Sequence, residues 1–223
     1  MEETGALFCI GPLEVTGTAV TMLVIVGVIT LLAYLSTRHL SDVPGTLQNA
    51  AELAVEKLES FFTELVGREK TRRHFAVFAT LFIFIIVSNY SGILPGAGHY
   101  KAFKVPSADL SVTAGLALVA FFASHIIGVK EVGAKKYFGS FLKPIAFLLP
   151  LNIIEQIVRP FSLAMRLYGN MYGEETVLEN LYEVFPILLP LIMNVLSLLF
   201  CYIQAMVFCM LLGIYVSEGT ELE

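Results

Sequence analysis

The stretch Phe185 to Val216, FPILLPLIMNVLSLLFCYIQAMVFCMLLGIYV, decides the fold, because it runs 32 residues without one Asp, Glu, Lys, Arg or His. About 20 predominantly apolar residues suffice to cross a bilayer as a helix. This segment is too long for a perpendicular crossing: at 1.5 Å per residue it spans about 48 Å, against a hydrocarbon core of about 30 Å. A straight helix of that length has to tilt by roughly 50°, well past the usual ~20°. Pro186 and Pro190 stand near its start, where they can bend or begin it. Asn194, Ser197, Cys201 and Gln204 recur at spacings of 3, 4 and 3, so they form one polar stripe on an otherwise apolar helix. Such a stripe serves either as glue between helices or as the lining of a water-filled path.

Composition generalises the reading. The chain has 223 residues, 57% hydrophobic and 15% charged, with a mean hydropathy of +0.77. Soluble domains carry about a quarter charged residues. Four further apolar segments precede the last: 16–35, 75–94, 110–129 and a less pure one at 144–172. The fourth is also overlong. In the first connection, Leu47, Ala51, Ala54, Leu58, Phe61 and Leu65 recur at helical spacing with Glu52, Glu56, Lys57, Glu59 and Glu64 between them. This predicts an amphipathic helix over 47–66, lying on the membrane surface or on a partner helix. The expected fold is all-α and polytopic: one membrane domain over 1–223, about five transmembrane helices, the last two long and strongly tilted, and a cytoplasmic amphipathic helix.

Lys and Arg set the orientation. Residues 1–15 hold none, 36–74 hold six, 95–109 two, 130–143 four, and 173–184 none. The alternation places the N-terminus outside, the 36–74 and 130–143 loops in the cytoplasm and, after five crossings, the C-terminus in the cytoplasm. The net charge of −5 argues against nucleic acid as a partner. The acidic N-terminus lacks the basic region of a signal peptide. Cys9, Cys201 and Cys209 form no metal or redox motif, and nothing implies a cofactor.

The fourth segment continues into SLAMRLYGNMYGEE, Ser162 to Glu175. An arginine at the centre of a span costs at least about 2.5–3.5 kcal/mol. Arg159 has Glu155 four residues before it, the favourable order for a helical ion pair, and reads as structural. Arg166 has no acid at 162, 163, 169 or 170. Asn170 shares its face without charge, and Glu175, nine residues on, falls on the opposite one. Arg166 therefore needs a counter-charge from elsewhere. His125 reads as a packing histidine before a proton relay.

Several ordered motifs then resemble one family, the a subunit of the F-type ATP synthase. SNYSGILPG at 88–96 is similar to its Asn-Leu-x-Gly-x-x-Pro-Gly segment. PSADLSVTAGLAL at 106–118 is similar to its Pro-Thr/Ser-Ala-Asp-x-Asn-x-Thr segment, with Ser111 in place of Asn. RPFSLAMRLYGNMYGEE at 159–175 is the most diagnostic stretch, and YIQAMVFCMLLGIYVSEG at 202–219 matches the C-terminal helix. The likeness covers 68–218 and is looser before that.

The resemblance implies a stator ion channel, without catalysis of its own, in a bacterial inner membrane. Its partners would be a c-subunit ring, peripheral-stalk b subunits, the rest of the synthase and the lipid bilayer. Two offset half-channels would carry H⁺ or Na⁺ to and from a carboxylate on each c subunit. The essential arginine of the family falls on Arg166, its asparagine on Asn170, the channel glutamate on Glu175 with Glu174 beside it, and the glutamine facing the arginine on Gln204. The chain departs from the pattern at Ser197, where some relatives have histidine, and at Asn152, where many have glutamate. Either coupling ion fits. Two other classes compete. An independent ion or anion transporter usually shows repeated halves, and none is seen. A membrane scaffold leaves Arg166 unexplained.

Overall fold

The structure is a computed structural model that describes residues 6–10, 13–38, 45–93, 104–140, 149–184 and 188–220. The architecture is all-α and polytopic apart from an N-terminal hairpin, β1 (Ala6–Ile10) and β2 (Leu13–Thr16), paired antiparallel with Cys9 opposite Glu14 and Ile10 opposite Leu13. Among the described residues seven helices follow: α1 (Gly17–Thr37), α2 (Thr46–Val66), α3 (Arg68–Ser91), α4 (Leu110–Val132), α5 (Ala134–Ser140), α6 (Leu149–Val184) and α7 (Leu188–Thr220). A short 3-10 turn, Pro106–Ala108, leads into α4.

Among the described residues α1, α3, α4 and α7 are long and apolar enough to cross a membrane. The fifth long helix, α6, has 36 residues and α7 has 33, about 54 and 50 Å at 1.5 Å per residue. The sequence expectation ended the fourth segment at Tyr172 and read 173–184 as a connection. Instead α6 runs on to Val184, with Glu174 and Glu175 inside it. A helix satisfies its own backbone hydrogen bonds, so it need not stop where apolar residues do. The amphipathic segment is α2, within a residue of its expected bounds.

The hub is α7, which packs against α2, α3, α4 and α6. Its Phe208, Cys209, Leu212 and Val216 are fully buried, together with Phe62 of α2 and Phe78 and Ile85 of α3. Phe62 stacks on Phe78 at a centroid distance of 4.8 Å. At Gly213 a Cβ would lie 3.2 Å from Val66 Cγ2, so the glycine lets α2 lie close on α7. On the other side, Ala117 and Ala120 of α4 meet Leu163, Ala164 and Leu167 of α6 in the same core, small residues allowing close approach. By contrast α1 exposes Leu23, Val24, Leu31, Leu32 and Leu35 and buries only Gly17, Thr18, Thr21 and Ile25. A helix apolar on all sides belongs in lipid.

Each end of the bundle has its own fastening. At the hairpin end Asp109 caps α4, accepting from Ser111 N at 2.9 Å, and also accepts from Thr18 Oγ1 of α1 at 3.2 Å. At the α2 end Glu131 of α4 takes both Arg73 Nη1 (2.9 Å) and His74 Nε2 (3.0 Å) of α3. Gly67, with φ +89°, makes the joint between α2 and α3. Arg68, Lys70, Arg72 and Arg73 at the start of α3 lie at this end, as do Lys130, Lys135 and Lys136.

Candidate functional site

The seam between α6 and α7 gathers most of the polar residues singled out above. On α7, Ser197, Cys201 and Gln204 are all buried, because the stripe turns toward the hub's neighbours rather than toward the outer surface. On α6, Leu163, Ala164, Leu167 and Met171 form the buried face. Asn170 stands beside it and donates from Nδ2 to Gln204 Oε1 at 2.6 Å. One turn away, Cys201 Sγ meets Met171 Sδ at 4.0 Å.

The seam contains more polar atoms than partners. Ser197 Oγ, Gln204 Nε2 and Asn89 Oδ1 are buried without a hydrogen-bond partner among the described residues. Asn89, at the end of α3, is fully buried and reaches only Cys201 O, at 3.4 Å. Leaving such a group unsatisfied costs about 1–3 kcal/mol. Three along one seam mark a place where water fits the chemistry better than a dry core. In sequence Asn89 stands out only as part of the SNYSGILPG motif; its burial against α7 is what makes it part of the site.

The two adjacent glutamates face different ways. Glu174 lies within electrostatic reach of Ser197 and Cys201, although Ser197 Oγ has no partner at full hydrogen-bond geometry among the described residues. Glu175 instead lies within electrostatic reach of Glu179 and Lys104, the latter just before the 3-10 turn that packs on α6. Successive residues on a helix are about 100° apart, which separates the seam-facing carboxylate from the one facing the hairpin end.

The two arginines of α6 also differ. Arg159 Nη2 is 2.7 Å from Glu155 Oε1 and 2.7 Å from Glu218 Oε2 of α7, and its guanidinium sits 4.8 Å from the Tyr215 ring centroid. Arg166 is exposed and forms no ion pair among the described residues. Elsewhere on the two helices Phe161, Met165 and Tyr172 of α6 are exposed, as are Val195, Leu199 and Ile203 of α7. Gly169 and Gly173 have nothing within 4 Å of a Cβ position, so the surface beside Arg166 is open. His125 packs as expected, its Nδ1 2.9 Å from Phe121 O and its ring against Phe121 and Tyr137.

The fold and site define a multi-pass helical membrane protein with an exposed cation, unpaired among the described residues, on the α6 stripe that also carries Asn170 of the polar seam. Residues 18–217 match the model of one family, the ATP synthase A chain, and the chain belongs to that family. It is 41% identical over 212 residues to ATP synthase subunit a 1 of Syntrophotalea carbinolica, covering 93% of this chain and 86% of that one. It is 37% identical to ATP synthase subunit a of Moorella thermoacetica, covering 95% and 94%. Geobacter sulfurreducens has a subunit a 38% identical over 207 residues.

Proposed function

We propose that this chain, as one membrane domain, is the ion-conducting stator of an F-type ATP synthase and itself carries no covalent chemistry. The observation that carries the reading is Arg166: exposed on α6, with no acid to pair with among the described residues. A lone cation at membrane depth is expensive, and a carboxylate on another subunit removes the cost. A ring of c subunits passing α6 supplies one such carboxylate after another. Nearby positive charge favours the ionised form of each carboxylate, so Arg166 forces release of the bound ion and separates the two access paths. Gly169 and Gly173 leave room for a partner helix to come close, as small residues do in membrane interfaces.

The seam supports one of those paths. Glu174, Ser197, Asn89, Gln204 and Asn170 offer a run of polar groups from the hairpin end toward the level of Arg166, with unsatisfied atoms for water to bridge. Glu175, with Lys104, lies at its mouth. The basic residues at the α2 end support a cytoplasmic reading of that end, with the seam opening outside and the C-terminus within. The b subunits of the peripheral stalk complete the stator.

Cysteine-directed crosslinking of the purified complex tests the reading. Cysteines placed one at a time at Ser162, Met165 and Gly169 should crosslink to the c ring. One at Ala117, buried on α4, should not. Crosslinking equal at all four, or absent from all, would remove the proposed ring-facing surface.

A further inference from the structure

We infer that Arg159, Tyr215 and Glu218 form a clasp that sets the register of α6 against α7 and so fixes the height of Arg166. The inference rests on the role proposed above for Arg166.

Among the described residues, two contacts between these helices involve nitrogen and oxygen groups or a charge: Asn170 with Gln204, and Arg159 with Tyr215 and Glu218. Eleven residues separate Asn170 from Arg159, and eleven separate Gln204 from Tyr215. Eleven residues are about three turns and about 16 Å on each antiparallel helix, returning to the same face within about 20°. The two fastenings therefore lie on matching faces at matching heights, and a slip by one turn breaks both. Arg166 is seven residues from Arg159 and four from Asn170, on the same stripe of α6. It is held from below and above without being touched by either contact.

Chemistry suits the residues to the task. The Arg159 side chain is only 17% exposed, while Glu155 and Glu218 are 57% and 52% exposed. A planar guanidinium reaches two carboxylates and stacks on a ring at once, which an ammonium cannot do. With two acids Arg159 is electrically satisfied and does not compete with Arg166 for the passing carboxylate.

Glu155 provides an internal control. It touches the same guanidinium at the same distance with similar exposure, but belongs to α6 and cannot set the register between helices. The experiment compares Glu155→Gln, Glu218→Gln, Glu218→Asp and Arg159→Lys in whole complexes reconstituted in vesicles at matched assembly. Passive ion leak and driven ATP synthesis are both measured. From the strength of half-exposed ion pairs, Glu218→Gln should raise the leak-to-synthesis ratio about two- to fivefold. Arg159→Lys should move it the same way, Glu218→Asp should restore part of the loss, and Glu155→Gln should leave the ratio unchanged. Equal ratios for the two glutamine variants, a wild-type ratio in Arg159→Lys, or loss of assembly as the only effect of the Glu218 changes would overturn the clasp. Arg166→Ala run alongside separates the hypotheses: if it still couples, the reading beneath has failed; if it uncouples, only the clasp has.

Discussion

Replacing Gln204 by leucine separates a conducting role from a structural one. Gln204 is 4% exposed and accepts one hydrogen bond, from Asn170 at 2.6 Å, while its Nε2 has no partner among the described residues. Leucine has similar volume, so the change opens no large cavity. The loss to stability is one interhelical hydrogen bond, about 0.6 kcal/mol on average within membranes and about 1.7 at most. The loss to conduction is larger, because the Nε2 that would hold water in the seam is gone and Asn170 loses its partner. Thermal unfolding of the purified complex in detergent should shift by only a few degrees. Proton or Na⁺ flux per assembled complex should fall by at least about tenfold, the effect of a barrier rise of about 1.4 kcal/mol. Asn170→Leu in a double-mutant cycle should show stability coupling of about 0.6 kcal/mol with Gln204. A drop of several kcal/mol in stability with flux per complex intact would make the stripe glue and refute the reasoning.

Three further outcomes follow from the fold. Gly67→Ala forces a side chain into a backbone conformation of φ +89° and should cost about 1–3 kcal/mol, read as a lower unfolding temperature. Glu131→Gln removes the acid shared by Arg73 and His74; with Glu131 only 15% exposed, the loss should be about 1–2 kcal/mol in the same assay, and Glu69→Gln, which leaves Glu131 in place, should cost far less. Impermeant thiol reagents should label Cys9 from outside and a cysteine at Lys135 only from the cytoplasm; the reverse pattern inverts the topology.

How far the sequence carried the fold depended on whether a signal was local. The bounds of α2 were legible because its apolar stripe and charged face alternate with one period, and Gly67 closes it. The end of α6 was not, because Glu174 and Glu175 resemble an exit from the membrane although the helix continues through them. The hairpin went unread: Gly11-Pro12 marks a turn, but ALFCI has no alternation to announce a strand. The site divides the same way. Glu155 and Arg159 meet at a spacing visible in the sequence, and the resemblance drew attention to Arg166, Asn170 and Gln204. Glu218 beside Arg159, Asn89 beside Cys201 and Lys104 within electrostatic reach of Glu175 join residues 59 to 112 positions apart. No periodicity reports such pairs; only packing brings them together.

The measurement that bears most directly on the account pairs driven ATP synthesis with passive ion flux in vesicles for Arg166→Ala and Arg166→Lys, with ring assembly verified. In Arg166→Ala nothing forces the passing carboxylate to give up its ion, so synthesis should vanish while leak persists or rises. Lysine keeps the charge but loses the delocalised fork; synthesis should fail there too, with leak better restrained than in alanine. An assembled Arg166→Ala complex that makes ATP at near wild-type rates would contradict the central claim.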